Sequence, residues 1–335
     1  MASDAATATP GDLPGSGPDA GEAGVGISIR NLYKIFGKTP AAFVEAVRGG
    51  MGKAELLETH RHVLGLRDVS LEVPAGRIQV VMGLSGSGKS TLIRHVNRLI
   101  EPTAGEVRVG GEDVRAMAPA ALRAFRRHTT AMVFQKFALL PHRSVLDNVV
   151  YGLEVQGLTR RDQVGRAMRW IERVGLAGYE SHYPSQLSGG MQQRVGLARA
   201  LAVDAPVLLM DEAFSALDPL IRVDMQSVLL DIQAEVRKTI VFITHDLDEA
   251  LRLGERVMIL RDGVCVQQGT PEEIVLAPAD AYVESFVREV NRGRVVTLGA
   301  VAASLAGPAA ETAGLPALPA SMRLEDAARA MAAGG

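Results

Sequence analysis

Residues 27–32 (ISIRNL) alternate apolar and polar side chains, the period-two pattern of a half-buried strand. Residues 71–73 and 78–82 predict two more strands. The second, IQVVM, is apolar almost throughout and is expected to be buried on both faces. Residues 130–134, 207–210 and 239–243 (TIVFI) predict further buried strands. Helical spacing fills the intervals. One helix is expected from about residue 88 to 99. Another starts at Pro219, which suits a first helical position, with Asp218 as a good N-cap. Its Ile221, Met225, Val228, Ile232 and Val236 recur on one face. Thr159 can cap a third helix, with Val164, Met168, Ile171 and Val174 sharing a face. Residues 145–201 are mostly helical in pattern, and residues 38–65 carry helix-like pieces such as 53–63. Strands alternating with helices predict an α/β core with a parallel sheet, and the helical block predicts a separate lobe.

The ends of the chain differ in character. Residues 1–26 are rich in Ala, Gly, Pro and Asp and are expected to be a disordered tail. They lack the basic start and apolar stretch of a secretory signal. No apolar run reaches the roughly 20 residues that a membrane helix needs, so a soluble, cytoplasmic chain is expected. Residues 295–335 are Ala-, Gly- and Pro-rich, with a helix-like stretch at 324–331 that Ser321 can cap. That segment is too short for a core of its own. The net charge of -2 argues against nucleic-acid binding driven by bulk electrostatics. Cys265 is the single cysteine, which excludes an internal disulfide and a Cys-rich zinc site. It sits in the strand-like VCVQQG, where the role of a small buried hydrophobe is expected.

The candidate chemistry lies at the ends of the predicted strands. Residues 83–90 (GLSGSGKS) fit G-x-x-x-x-G-K-[ST], with Gly83, Gly88, Lys89 and Ser90 at the fixed places. Such a loop turns successive backbone N–H groups onto phosphates, and the following helix N-terminus adds partial positive charge. Lys89 is expected to reach the β- and γ-phosphates, and Ser90 to ligate Mg²⁺. VLLMDE (207–212) is an apolar strand ending in two acids. Asp211 is placed to hold Mg²⁺ and Glu212 to polarise the attacking water. Gln135 and His245 are read as strand-end residues at the ligand edge of the sheet. Gln135 is a candidate to sense Mg²⁺ and the water, and His245 to contact the γ-phosphate. An aromatic after the first strand, Phe36 in preference to Tyr33, is a candidate to stack on adenine. LSGGMQQR (187–194) is a glycine-rich turn that opens a helix.

Together these strings resemble the ATP-binding-cassette (ABC) family over about residues 27–290. GLSGSGKS looks like its Walker A loop, VLLMDE its Walker B strand, Gln135 its Q-loop, SALD (215–218) its D-loop with Asp218, and His245 its switch histidine. LSGGMQQR is similar to the family signature almost letter for letter. The resemblance implies a P-loop NTPase fold of α/β class: an ABC-type nucleotide-binding domain with a RecA-like core, an antiparallel β subdomain and an inserted helical subdomain at about 140–205. It implies ATP and Mg²⁺, the metal held by Ser90, Gln135 and Asp211. It also implies a head-to-tail homodimer. ATP would lie between Gly83, Ser85, Gly86, Ser87, Gly88, Lys89, Ser90 and Thr91 of one copy and Ser188, Gly189 and Gly190 of the other, with Glu212, His245, Gln135 and Lys89 carrying hydrolysis.

A narrower resemblance is carried by the leucine of GLSGSGKST, by VFQKFALLPHRSVLDNV, by DEAFSALDPLIR followed by THDLDEA, and by the extra segment 38–65. These look like importer ATPases for quaternary amines such as glycine betaine, proline betaine, choline or carnitine. This implies a peripheral subunit on the cytoplasmic face of the inner membrane. Integral permease subunits would seat a helix on residues 136–148 through Phe137, Leu139 and Leu140, and an extracytoplasmic binding protein would be an indirect partner. Residues 298–332 faintly resemble the start of a CBS domain, so 291–335 is expected to be a C-terminal extension. The alternative is a soluble ABC ATPase acting on DNA or ribosomes, but coiled-coil arms, zinc cysteines and a second cassette are all lacking. A P-loop kinase leaves LSGGMQQR unexplained.

Overall fold

A computed structural model of the chain describes residues 24–135, 138–215, 217–304 and 318–333. Most of the expected tail (residues 1–23) lies outside the described residues, as do Phe137 of the expected docking segment and residues 305–317 of the extension.

Among the described residues, ten strands form two sheets. They are β1 (Ile27–Phe36), β2 (Val63–Val73), β3 (Ile78–Met82), β4 (Ala104–Val109), β5 (Glu112–Asp113), β6 (Thr130–Val133), β7 (Val207–Asp211), β8 (Thr239–Thr244), β9 (Arg256–Arg261) and β10 (Val264–Gly269). An antiparallel sheet has the order β2-β1-β4-β5, and a larger sheet the order β10-β9-β3-β8-β7-β6. In the larger one the pairs β9/β3, β3/β8, β8/β7 and β7/β6 are parallel, and only β10 runs antiparallel to β9. The helices are α1 (Val44–Arg48), α2 (Lys53–His60), α3 (Lys89–Val96), α4 (Pro119–His128), α5 (Val145–Gln156), α6 (Arg160–Arg173), α7 (Gly189–Ala202), α8 (Pro219–Val236), α9 (Leu247–Leu253), α10 (Pro271–Leu276), α11 (Ala281–Val287), α12 (Leu298–Ser304) and α13 (Leu324–Ala333). None of them is long and apolar enough to cross a membrane.

The continuous apolar strands are buried on both faces, as their sequences predict. Val81, Leu209, Val241 and Leu260 face one core, shared with the antiparallel sheet and α3. Val80, Met82, Met210, Phe242 and Ile259 face the other, shared with α5, α6, α7 and α8. Phe242 is fully buried and its ring lies 5.5 Å from that of Phe214. Phe242→Ala is expected to cost about 3–5 kcal/mol of unfolding free energy, read as a lowered urea midpoint with unchanged slope.

Several boundaries and one helix face differ from the sequence reading. β1 runs on to Phe36, so Tyr33 and Phe36 lie within the strand. β2 begins at Val63, and α2 stops at His60, where Arg61 turns left-handed (φ 55°). α3 ends at Val96 because Arg98 adopts φ 51°, which breaks the helical path. Asp218 does precede α8, but its side chain makes no capping hydrogen bond. Thr159 does cap α6, accepting from the Asp162 N–H. The buried face of α6 is nevertheless Gln163, Ala167, Trp170 and Ile171, while Met168 is exposed. Gln163 tolerates burial because its amide donates to the Leu158 carbonyl. Cys265 is half-buried against the inter-sheet core, and desolvation pushes its thiol pKa up.

Residues 38–65 build a small core of their own. Val44, Val47 and Leu56 pack on Tyr33, Ile35 and Leu64. The two sheets meet where three glycines converge. Gly263, in the β9–β10 turn (φ 81°), donates its N–H to the Ser87 carbonyl, and its own carbonyl accepts from Arg67 N on β2. A Cβ on Gly263 would sit 2.6 Å from the Gly65 carbonyl, and one on Gly88 would sit 2.8 Å from it. Backbone can approach this closely only where no side chain intervenes. At the C-terminal end, an antiparallel bridge between Thr297 and Arg323 brings α12 and α13 together.

Candidate functional site

The sheet order β3-β8-β7-β6 sets four strand ends side by side. Each delivers a predicted group. β3 leads into the loop 83–88 and α3, β8 into His245, β7 into Asp211 and Glu212, and β6 into Gln135. Gln135 lies two residues past its strand and His245 one past, so both belong to the loops rather than to the strand ends. In a parallel sheet, that edge is where ligands gather.

Hydrogen bonds knit these residues into one cluster. Ser90 Oγ donates to Asp211 Oδ1 at 2.7 Å. Gln135 Nε2 donates to Glu212 Oε2 at 2.8 Å, and His245 Nδ1 lies 3.6 Å from that same oxygen. Lys89 Nζ donates to the carbonyls of Gly83 and Leu84 at 2.7 and 2.9 Å and lies 3.9 Å from Glu212 Oε1. The ammonium is almost wholly buried, and desolvation lowers its pKa against the opposing pull of Glu212 and Asp211. The loop around it is shaped by glycine. Gly83 has φ 149°, and a Cβ there would sit 2.2 Å from the Leu260 carbonyl. Gly86 faces open space, while Ser85 and Gly86 are exposed. Ser87 Oγ is buried with no hydrogen-bond partner among the described residues.

Glu212 is held in an uncommon backbone state. Its φ is 48°, left-handed for a residue with a side chain. Such a conformation costs about 1–3 kcal/mol and persists where the surroundings over-determine it. Here the Glu212 N–H donates to the Ile243 carbonyl, and its carbonyl accepts from the Ser215 N–H and hydroxyl. The carboxylate is thereby aimed at the space above the loop. The arrangement suits phosphoryl chemistry: cationic and N–H donors on one side, a carboxylate to take a proton on the other. Ser90 and Asp211 offer the hard oxygen donors that Mg²⁺ prefers, and few protein ligands are needed when phosphates supply the rest.

A family model described as "ABC transporter" matches residues 66–215. The glycine betaine transport ATP-binding protein OpuAA of Bacillus subtilis (strain 168) is 54% identical over 273 residues, which covers 82% of this chain and 65% of that protein. The glycine betaine/proline betaine transport system ATP-binding protein ProV of Escherichia coli (strain K12) is 51% identical over 269 residues, covering 80% of this chain and 67% of that protein. The chain belongs to the ABC transporter family. It spans about two thirds of the length of these two relatives. Among solved structures, the dimeric structure of MJ0796, a bacterial ABC transporter cassette, superposes with a TM-score of 0.63 at 30% identity, covering 73% of this chain and 98% of that one.

Within this cassette the signature residues stand apart from the phosphate loop. Ser188 caps α7, accepting from the Met191 N–H. Gly190 abuts Ile221 of α8, and Ser188 and Gly189 are exposed. Among the described residues no hydrogen bond joins Ser188, Gly189 or Gly190 to residues 83–91. Asp218 is likewise exposed. Phe36 is near the loop. Its ring edge lies against Gly65, whose carbonyl meets Gly88, and Lys34 Nζ sits over the ring at 4.8 Å from its centroid.

Arg94 is a site residue that the motifs do not flag. It lies one helical turn past Ser90 and donates to Asp211 Oδ2 at 3.1 Å. Asp211 is thus gripped on both oxygens by two residues one turn apart on the same face of α3. The i, i+4 spacing from Ser90 is the signal that could have found it.

Proposed function

We propose that this chain is the ATP-hydrolysing subunit of an importer for a quaternary amine such as glycine betaine, proline betaine or choline. It works in pairs on the cytoplasmic face of the inner membrane, bound to integral permease subunits. The observation that carries the hydrolytic reading is the convergence of Lys89, Ser90–Asp211, Gln135–Glu212 and His245 on one sheet edge. The solute class rests on the likeness to OpuAA and ProV.

In this reading the Gly83–Thr91 backbone and Lys89 bind the phosphates of ATP. Ser90 and Asp211 hold Mg²⁺, which neutralises phosphate charge when bound. Glu212, oriented by Gln135, takes a proton from the water that attacks the γ-phosphorus. The bond to the β-phosphate oxygen breaks, leaving ADP and phosphate. His245 faces the same carboxylate and orients it. Lys89→Ala is expected to weaken ATP binding about ten- to a hundredfold, measured by equilibrium titration of a labelled nucleotide. Phe36 offers its second face to adenine.

The exposed placement of Ser188, Gly189 and Asp218 favours a second copy closing head to tail over the nucleotide, in keeping with the dimeric MJ0796 neighbour. Leu220 at 85% exposure and Leu84 at 56% are apolar groups in want of such a cover. A separate cavity of about 500 Å³ lies beside the segment expected to receive the permease. Met132, Leu140, Tyr151, Val155 and Val203 give it an apolar lining suited to a helix from a membrane subunit.

The test is complementation. Restoring this chain to a strain lacking its transport operon, with the partner subunits supplied, should recover uptake of labelled glycine betaine or choline. The Glu212→Gln variant should not. Uptake that is equally good with the variant would remove the assignment. Co-purification with ribosomes or DNA instead of a multi-span membrane protein would favour the soluble alternative.

A further inference from the structure

We infer that Arg222 is a positioning residue: one guanidinium ties the loop carrying Asp218 to the loop carrying His245, so that the two shift together. Arg222 sits in the first turn of α8, its N–H bonded to the Asp218 carbonyl at 2.9 Å. Its Nη2 donates to the Leu217 carbonyl at 3.2 Å, and its Nη1 to Asp246 Oδ2 at 2.8 Å. Asp246 directly follows His245. Its other oxygen, Oδ1, caps α9 by accepting the Glu249 N–H, and its own N–H donates to Thr244 Oγ1. The carboxylate is therefore fixed on both oxygens, and His245 is held between two anchored neighbours.

Stability does not account for this arrangement. Arg222 and Asp246 are 26% and 31% exposed, and partly solvated ion pairs contribute little. Arg222 Nε is buried without a partner among the described residues, which opposes folding. What the guanidinium supplies is a rigid planar fork that holds two acceptors at a fixed separation and direction, which the compact, freely rotating ammonium does not impose. The same two helices are zipped further along by Gln226 to Glu249 and by Arg252 to Gln226 and Ser227. A displacement at Asp218 thus reaches His245 through a short rigid path.

The catalytic arm of this inference rests on the ATP-hydrolysis reading, while its mechanical arm does not. Arg222→Gln and Asp246→Asn are each expected to lower kcat about tenfold, with ATP affinity and Tm unchanged. The double variant should be no worse than the poorer single one, because both remove one link. Arg222→Lys, which keeps the charge but lacks the planar fork, should recover part of the loss. Deuterium exchange without nucleotide should rise in Arg222→Gln both at residues 213–222 and at 244–252, and stay unchanged at 83–91. Additive losses, a kcat that falls in step with Tm, or exchange rising at one loop only would overturn the inference. If the unaltered protein fails to hydrolyse ATP, the proposed function falls, and the exchange measurement still decides whether Arg222 links the loops.

Discussion

Glu212→Gln is expected to slow phosphate release by about 10²–10⁴-fold while leaving ATP binding intact. Glutamine keeps the length of the side chain and an oxygen that can still accept from Gln135, now 2.8 Å from Glu212 Oε2. It cannot take a proton from water at neutral pH. The strained backbone at φ 48° is unaffected, since both residues carry a Cβ. Binding without turnover should hold the closed pair together, so gel filtration with ATP should show a dimer. A variant that turns over near the normal rate, or stays monomeric with ATP, would take the base role from Glu212.

Ser188→Arg is the second large effect. The arginine removes the cap on α7, worth about 1 kcal/mol, and sets a bulky side chain on an exposed turn that no bond ties to the phosphate loop of its own molecule. ATP affinity of the lone protomer should therefore persist. Turnover should fall by about 10²-fold or more, the scale of losing donors that face a developing charge. A mixing experiment sharpens this. In the proposed head-to-tail pair, Lys89→Ala would spoil one half of a shared pocket and Ser188→Arg the other. Equal amounts of the two inactive variants should regain roughly a quarter of the normal sites, because each mixed pair keeps one intact pocket. No recovery on mixing would place Ser188 away from the nucleotide.

The convergence of the candidate groups was legible because most of them sit in short contiguous strings at the ends of apolar strands. The loop 83–90 and the two acids at the end of β7 need only local sequence to be seen. The β1–β2 pairing was not. Its register shifts between Ile29 and Leu32, Leu32 and Lys34, and Lys34 and Ile35, and Asn31 and Asp68 take positive φ. Bulges of that kind erase the period-two signal on which strand reading depends. The face of α6 was misplaced because Met168 is apolar yet exposed and Gln163 polar yet buried. The Leu158 carbonyl beneath the Gln163 amide nitrogen and the Arg160 guanidinium on its oxygen explain that choice. Arg94 and Arg222 escaped for a related reason. Their acidic partners lie 117 and 24 positions away, and the one local hint, the i, i+4 spacing of Arg94 from Ser90, does not name its partner.

The three-glycine seam has a practical corollary for anyone attaching fluorophores. Gly263 fastens the β9–β10 hairpin to both Ser87 and Arg67. The β2 strand of the antiparallel sheet and the glycine loop before α3 are thereby soldered into a single block. A dye pair spanning β2 and α3 should report a constant separation throughout the catalytic cycle and serve as an internal ruler. Any larger residue at position 263 should pry that block apart, and the ruler would then drift.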